Sequence, residues 1–209
     1  MAKTSAVVDL RERCVTEALA IIQEQGVEQL SLRDVARRLG VSHQAPYKHY
    51  ANRDALLAEV VAREFARFAS HLDGRTRLED PFDDLMSLGR AYLTYAFSNP
   101  LSYRLMFGTP LPDPDGHPEM LARARRAFSI LQDCVSRLNS NGRNPTNGSD
   151  IDLDALFIWS LIHGVASIFQ TSALQTMPMS PDVLASLNPH LEQRLRAALG
   201  YELRGSGPI

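Results

Sequence analysis

The stretch LSLRDVARRLGVSHQAPYKHY, residues 30–50, decides how the rest of this 209-residue chain is read. Ser31 is placed to cap a helix, and Asp34 three residues later completes a capping-box pattern. Leu32, Val35, Ala36 and Leu39 then recur at i, i+3, i+4 and i+7, the apolar face of a two-turn helix. Gly40 ends that helix, because the residue just past a helix often needs φ > 0. Val41 plugs the corner and Ser42 is placed to cap a second helix. On that helix His43, Gln44, Tyr47 and Lys48 share one side, with Ala45 and His49 on the other. A short helix with a small inner residue and a donor-rich outer face has the geometry of a helix-turn-helix, whose second helix enters the DNA major groove.

Upstream, Val7, Leu10, Cys14, Ala18, Ile21 and Ile22 keep helical spacing from about Ser5 to Gln25, and Gly26 stops the run. Three helices therefore form an N-terminal head. Asn52 caps a long helix from Arg53, whose series Leu57, Val61, Phe65, Phe68 and Leu72 carries past the head.

Extended to LSLRDVARRLGVSHQAPYKHYANRDALLAEV, the segment resembles the DNA-binding domain of the tetracycline-repressor (TetR) family. The resemblance rests on Ser31, the turn Gly40-Val41-Ser42, the aromatic–x–His–aromatic run Tyr47 to Tyr50, and Arg53 followed by Leu56 and Leu57. Pro46 departs from the pattern, since many members carry an ordinary helix former there. It removes only the first intrahelical bond, and leaves the start of the recognition helix open. The resemblance implies a DNA-binding domain over residues 1–53 and an effector-binding and dimerisation domain over 54–209. It assigns Tyr47, Arg53 and Ser31 to phosphates, with Ser42 beside them, and His43, Gln44 and Lys48 to base edges. Arg33, at the start of the preceding helix, is placed to reach the groove. His49 is expected to pack rather than read.

The remainder of the chain reads as helices throughout. Pro81 opens one with Phe82, Leu85, Leu88, Tyr92 and Tyr95 as its stripe, and Pro100 opens a short one ended by Gly108. TPLPDPDGHP (109–118) must be a loop, followed by the stripe Met120, Ala124, Ala127, Phe128, Leu131, Val135 and Leu138. NSNGRNPTNGS (139–149) is polar and rich in turn formers, and is expected to be mobile. After it, IDLDALFIWSLIHGVASIFQ is apolar on nearly every face, which requires core on one side and a partner subunit on the other. Ser160, Gly164 and Ser167 are small enough for a second helix to approach. The last helix, with Leu184, Leu187, Leu191, Leu195 and Leu199, is expected to break at Asn188-Pro189. By the resemblance, the two C-terminal long helices form a dimer interface, with Leu191 and Leu195 beside the three small residues.

Trp159 and His163 lie one turn apart, and Trp…His163-Gly164 with Tyr103 and Phe107 resembles a TetR subgroup. The implied ligand site has aromatic walls (Tyr103, Phe107, Phe128, Trp159) and His163 as a polar handle, suited to an apolar or aromatic small-molecule effector. The bland alternative is ordinary core with one satisfied histidine.

The net charge is −2, yet residues 1–53 hold eight basic and six acidic side chains while the rest holds 14 and 18. A head at +2 on a body at −4 suits a protein that touches DNA at one end. No run of 18 apolar residues and no signal-peptide core appear, so a cytoplasmic protein without a membrane span is expected. Cys14 and Cys134 belong to no CxxC or metal spacing and are expected to be buried thiols. The histidines form no HExxH pair, and neither a phosphate loop nor a GxSxG elbow is present, so no metal, cofactor or catalytic residue is expected. Taken with the resemblance, the chain is expected to be an all-α repressor that binds a near-palindromic double-stranded operator as a homodimer. The alternatives are an activator of the same family, a small helical enzyme, and a ligand-independent DNA-organising protein, whose usual strongly basic composition is missing.

Overall fold

A computed structural model describes residues 2–108, 110–140, 148–171 and 173–201 of the chain, and among these every regular element is helical. The helices are α1 (Ala2–Gln25), α2 (Leu32–Leu39), α3 (Arg53–Asp73), α4 (Pro81–Ser98), α5 (Pro100–Phe107), α6 (Pro118–Ser140), α7 (Gly148–Gln170), α8 (Ala173–Thr176), α9 (Pro181–Ala185) and α10 (Leu187–Ala198). Two 3-10 turns, Val27–Gln29 and Pro46–Lys48, complete the set. The chain divides into two compact units, Met1–Ala69 with Leu101–Ala127, and Ser70–Pro100 with Phe128–Ile209.

In the first unit, Cys14, Ala18, Ile21 and Ile22 of α1, Leu32, Val35 and Ala36 of α2, and Leu56, Leu57 and Val61 of α3 are all buried. These are the positions that the helical spacing selected. Arg63 fastens α3 to α1 by two bonds to Glu12 (2.6 and 2.8 Å) and holds Glu59 on its own helix at 2.9 Å. Such a forked pair fixes the relative rotation of two helices as well as their contact.

The second unit is built on α4, whose stripe Phe82, Leu85, Leu88, Tyr92 and Tyr95 is buried. Asp80 caps α4, accepting from the amides of Phe82 and Asp83 at 2.9 Å each. Its other oxygen accepts the Tyr201 hydroxyl at 2.7 Å, the Tyr201 ring stacks on Phe82, and the Arg196 guanidinium lies 3.8 Å from the Phe82 centroid. The end of α10 is thereby bound to the start of α4. One turn into α4, Asp84 is 1% exposed. It accepts from Arg137 (2.7 Å), Arg75 (3.0 Å) and the Leu78 amide (3.0 Å), and the Cys134 thiol lies 3.5 Å away. Both cysteines are free and buried.

Two expectations are corrected. Asn139 and Ser140 belong to the last turn of α6, and α7 begins at Gly148, so the polar linker is shorter than its composition suggested; residues 141–147 lie outside the described residues. The C-terminal break falls at Ser186 rather than at Asn188-Pro189, and Pro189 is the third residue of α10. An amide there has no partner within the helix, so proline is tolerated. Among the described residues, Asp150–Gln170 is one helix long and apolar enough to cross a membrane by length and composition alone, with a mean hydropathy of 1.5 and 17% of that window buried. Leu153 is 65% exposed, and Leu156, Phe157, Ile168 and Phe169 are also exposed.

Candidate nucleic-acid interface

Helix α2 is fixed at both ends by backbone chemistry. The Ser31 Oγ accepts from the Asp34 amide at 3.1 Å with Ser31 in an extended conformation, as the cap requires. At the other end Gly40 takes φ 66°, ψ 29°. The Gly40 amide donates to Arg37 O (3.2 Å) and the Val41 amide to Ala36 O (3.0 Å), a Schellman pair. Arg38 ties α2 back to α1 through Glu24 (2.8 Å) and Glu17 (3.3 Å).

After this turn the chain departs from the expected α-helix. Residues 43–45 form a turn, and Pro46–Lys48 a 3-10 helix. Ala45 donates to Ser42 O (2.9 Å), Lys48 to Ala45 O (3.3 Å) and His49 to Pro46 O (2.9 Å), all three-residue bonds. Pro46 is the physical reason. It has no N–H to give Ser42 O, and its ring crowds that carbonyl, so the three-residue pattern takes over. Ser42 accordingly supplies a carbonyl rather than the side-chain cap assigned to it, and no side-chain bond caps the turn. Its own side chain is exposed.

The inner and outer faces nevertheless fall as the spacing requires. Pro46 and Tyr50 are buried, and the Tyr50 hydroxyl donates to Arg11 O at 3.3 Å, pinning the segment to α1. Ala45 and His49 are half-buried, while His43, Gln44, Tyr47 and Lys48 are exposed, Tyr47 to 48%. Arg33 is exposed on the first turn of α2, and among the described residues neither Arg33 nor Lys48 forms an ion pair. The face thus presents two cations, an imidazole, a carboxamide and a phenol without an acidic partner bound to them.

Ser31 and Arg53, both expected at phosphates, also engage partners within the chain. The Ser31 hydroxyl is half-buried and turned to Asp34. Arg53, the first residue of α3, donates through Nη2 to Val27 O (2.8 Å) and through Nε to Leu30 O (3.1 Å), and meets Asp54 at 3.1 Å. Its guanidinium closes the chain segment that leads into α2. Nothing in the local sequence signals this role, because the acceptors are backbone carbonyls 23 and 26 residues away.

The residues expected to line an effector site fall into two groups, one in each unit. In the first, the Phe107 ring lies 5.1 Å from Tyr103, 5.7 Å from Phe65 and 6.1 Å from Phe68. In the second, Trp159 lies 5.9 Å from Phe128 and 5.6 Å from His163. The Tyr92 hydroxyl and His163 Nδ1 share a 2.9 Å hydrogen bond, and burial lowers the imidazole pKa. Tyr92 and Phe65, which touch these groups, were visible in the sequence only as members of apolar stripes. Of the residues assigned to a dimer contact, Ser160 is exposed, and Gly164, Ser167 and Leu191 are half-buried. Leu195 is 6% exposed, so its side chain is consumed within its own chain and is not presented to a partner.

A capped helix, a tight turn and an outward polar segment define a helix-turn-helix head on an all-α chain. Family profiles agree with that class: the N-terminal domain of bacterial regulatory proteins of the tetR family matches residues 15–60, and the tetracyclin repressor-like C-terminal domain matches residues 85–192. The chain belongs to the TetR family. The HTH-type transcriptional regulator Rv1816 of Mycobacterium tuberculosis is 29% identical over 136 residues, covering 61% of this chain and 58% of that protein's length. A second regulator of that organism, Rv0681, described as uncharacterised, is 26% identical over 189 residues, covering 88% and 82%. A crystal structure of a tetR-family regulatory protein from Rhodococcus RHA1 shares the fold at a TM-score of 0.62 and 21% identity, over 89% and 96% of the two chains.

Proposed function

We propose that the protein is a sequence-specific, DNA-binding transcriptional regulator, a repressor that leaves its operator when a small molecule binds residues 54–209. The observation that carries this reading is the outward face His43, Gln44, Tyr47 and Lys48, held by the Gly40 turn on one side and the buried Tyr50 on the other. Lys48 and Gln44 have the donor geometry for guanine and adenine edges, and Tyr47 that for a phosphate. Residues 1–53 form the DNA-binding part. Arg33 reaches the groove from α2, Ser31 and Ser42 flank the backbone contacts, and Arg53 holds the segment in place as well as facing a phosphate.

A homodimer presents two such faces about 34–36 Å apart to an inverted repeat. Supporting it, α7 carries Leu153, Leu156, Phe157 and Ile168 exposed around Ser160, and a Cβ added at Gly164 would meet no atom within 4 Å. An apolar face of this extent is what a second copy of α7 would cover. The effector is a small molecule of apolar or aromatic character, and each aromatic group, Phe128 with Trp159 and His163 in one unit and Tyr103 with Phe107 in the other, is a candidate to meet it. Its differential affinity for the two states is worth about 1–3 kcal/mol in such systems, enough to empty an operator. The reading assigns a cytoplasmic protein with no catalytic residue, metal or cofactor.

Selection of bound duplexes from a random DNA pool, followed by sequencing, tests the proposal. Enrichment of an inverted repeat with half-sites one helical turn apart supports it. Salt-sensitive binding without enrichment would instead make the chain a DNA-organising protein.

A further inference from the structure

The second unit carries a groove of about 440 Å³ between the end of α3 and the middle of α4. His71, Gly74, Arg75, Ser87, Arg90 and Thr94 line it together with Ala91, and none of the seven is acidic. Its floor is an arginine already immobilised. Arg75 has a side chain only 5% exposed, with Nη1 donating to Leu72 O at 3.0 Å and Nη2 to Asp84 and to the Cys134 sulfur at 3.0 Å each. Its Nε–H is buried and, among the described residues, has no acceptor. An unmatched donor on a buried cation is costly, and it leaves the positive charge of Arg75 only partly compensated beneath the groove. Asp84 does not neutralise the site, because Arg137 shares the same carboxylate oxygen, leaving two guanidinium groups against one carboxylate. Across the groove Arg90 is exposed and, among the described residues, forms no ion pair. The His71 Nε2–H is engaged with Ala91 O at 3.1 Å, and Ser87 and Thr94 add hydroxyls.

We propose that this groove binds a small-molecule oxyanion, with a carboxylate or phosphate group gripped between Arg75 and Arg90. Arg75 is pre-ordered and supplies charge, while Arg90 is free to close, and the planar donor fork of Arg90 matches either group through two parallel bonds. The volume admits a small organic acid or phosphate ester rather than a bare ion alone. The proposal stands apart from the DNA-binding reading, and from the aromatic groups assigned to the effector.

The test titrates the full chain with inorganic phosphate and, separately, with acetate in chloride buffer at constant ionic strength. Binding is followed by calorimetry and by the ¹H–¹⁵N resonance of the Arg75 Nε–H. Saturable binding that shifts this resonance is expected, with the tighter of the two anions identifying the group recognised. Arg90→Ala should weaken it about tenfold or more, as loss of a charge-assisted contact would, and Arg90→Lys should retain part of it. Arg123→Ala, which removes an exposed arginine paired with Glu119, should leave it unchanged. The proposal is overturned if neither anion saturates, if Arg90→Ala binds as wild type, or if Arg123→Ala weakens binding as much as Arg90→Ala does.

Discussion

Asp84→Asn isolates what holds the second unit together. The substitution keeps size and shape but removes the negative charge from a site 1% exposed. Arg137, whose side chain is 39% exposed, can turn to water, whereas Arg75, at 5%, cannot. The variant therefore leaves a buried guanidinium without a counter-charge, and breaking a buried pair in this way costs about 3–5 kcal/mol. Partial retention of the bond from the Leu78 amide to the new side-chain oxygen places the loss at the lower end, about 3 kcal/mol. For a chain of this length that corresponds to a fall in melting temperature of roughly 6–12 °C. The pH dependence gives a second handle. Burial pushes the Asp84 pKa up, but the Leu78 amide, Arg75, the Cys134 thiol and Arg137 outweigh it, so the folded-state value is below the ordinary 3.8. A carboxylate with a depressed folded pKa contributes stability above its unfolded pKa and loses it as pH falls through the folded value. The gap between wild type and variant should thus be full at pH 7 and shrink steadily below about pH 4. Thermal and urea unfolding at fixed protein concentration would measure both. A loss under about 1 kcal/mol at pH 7, or a gap independent of pH, would show that Asp84 is not the keystone of this network.

Four further outcomes follow from the geometry. Arg53→Ala should cost about 2 kcal/mol in unfolding experiments, because two carbonyls lose a charged donor; unchanged stability with a salt slope reduced by about one would make Arg53 a phosphate contact alone. Tyr47→Ala should weaken binding to specific and random duplexes alike and flatten the salt slope by about one, whereas an altered base preference would give Tyr47 a different role. Gly40→Ala meets no atom within 4 Å, so its cost is the left-handed φ of 66° alone, about 1–2 kcal/mol by denaturation. Gly164→Leu has open space in one chain and should overpack only a second, so light scattering should report a weakened dimer; a normal dimer would place the interface elsewhere.

Much of this architecture is legible in the sequence, because helices that bury one face must repeat apolar residues at helical spacing. Leu57, Val61, Phe65, Phe68 and Leu72 all lie where that rule puts them. Capping is legible for the same local reason: Ser31, Asn52, Asp80 and Gly40 act within four residues of themselves. Pro46 shows the limit of pattern reading. Its missing N–H is evident, but the docking of Tyr50 on Arg11 O, 39 residues away, which pins the segment to α1, is not. Asp84 looks like an ordinary first-turn acid of α4, since Arg137 lies 53 residues away. Leu191 and Leu195 are equivalent in the pattern, and only packing assigns Leu195 to the interior. Long-range pairing of charges with backbone or with one another leaves no periodic trace.

Cys134 sits against the same carboxylate, with the Arg75 Nη2 3.0 Å from its sulfur. An arginine so close ordinarily favours the thiolate, yet burial, aided by Asp84, prevails and pushes the thiol up to about 11. At neutral pH about one molecule in ten thousand carries the nucleophilic form. Burial raises the Cys14 thiol as well. Thiolates are the species that attack peroxides and disulfides, so a buried thiol held in its protonated form reacts slowly with either. Both sulfurs thus serve this fold as small packing groups rather than as reactive ones.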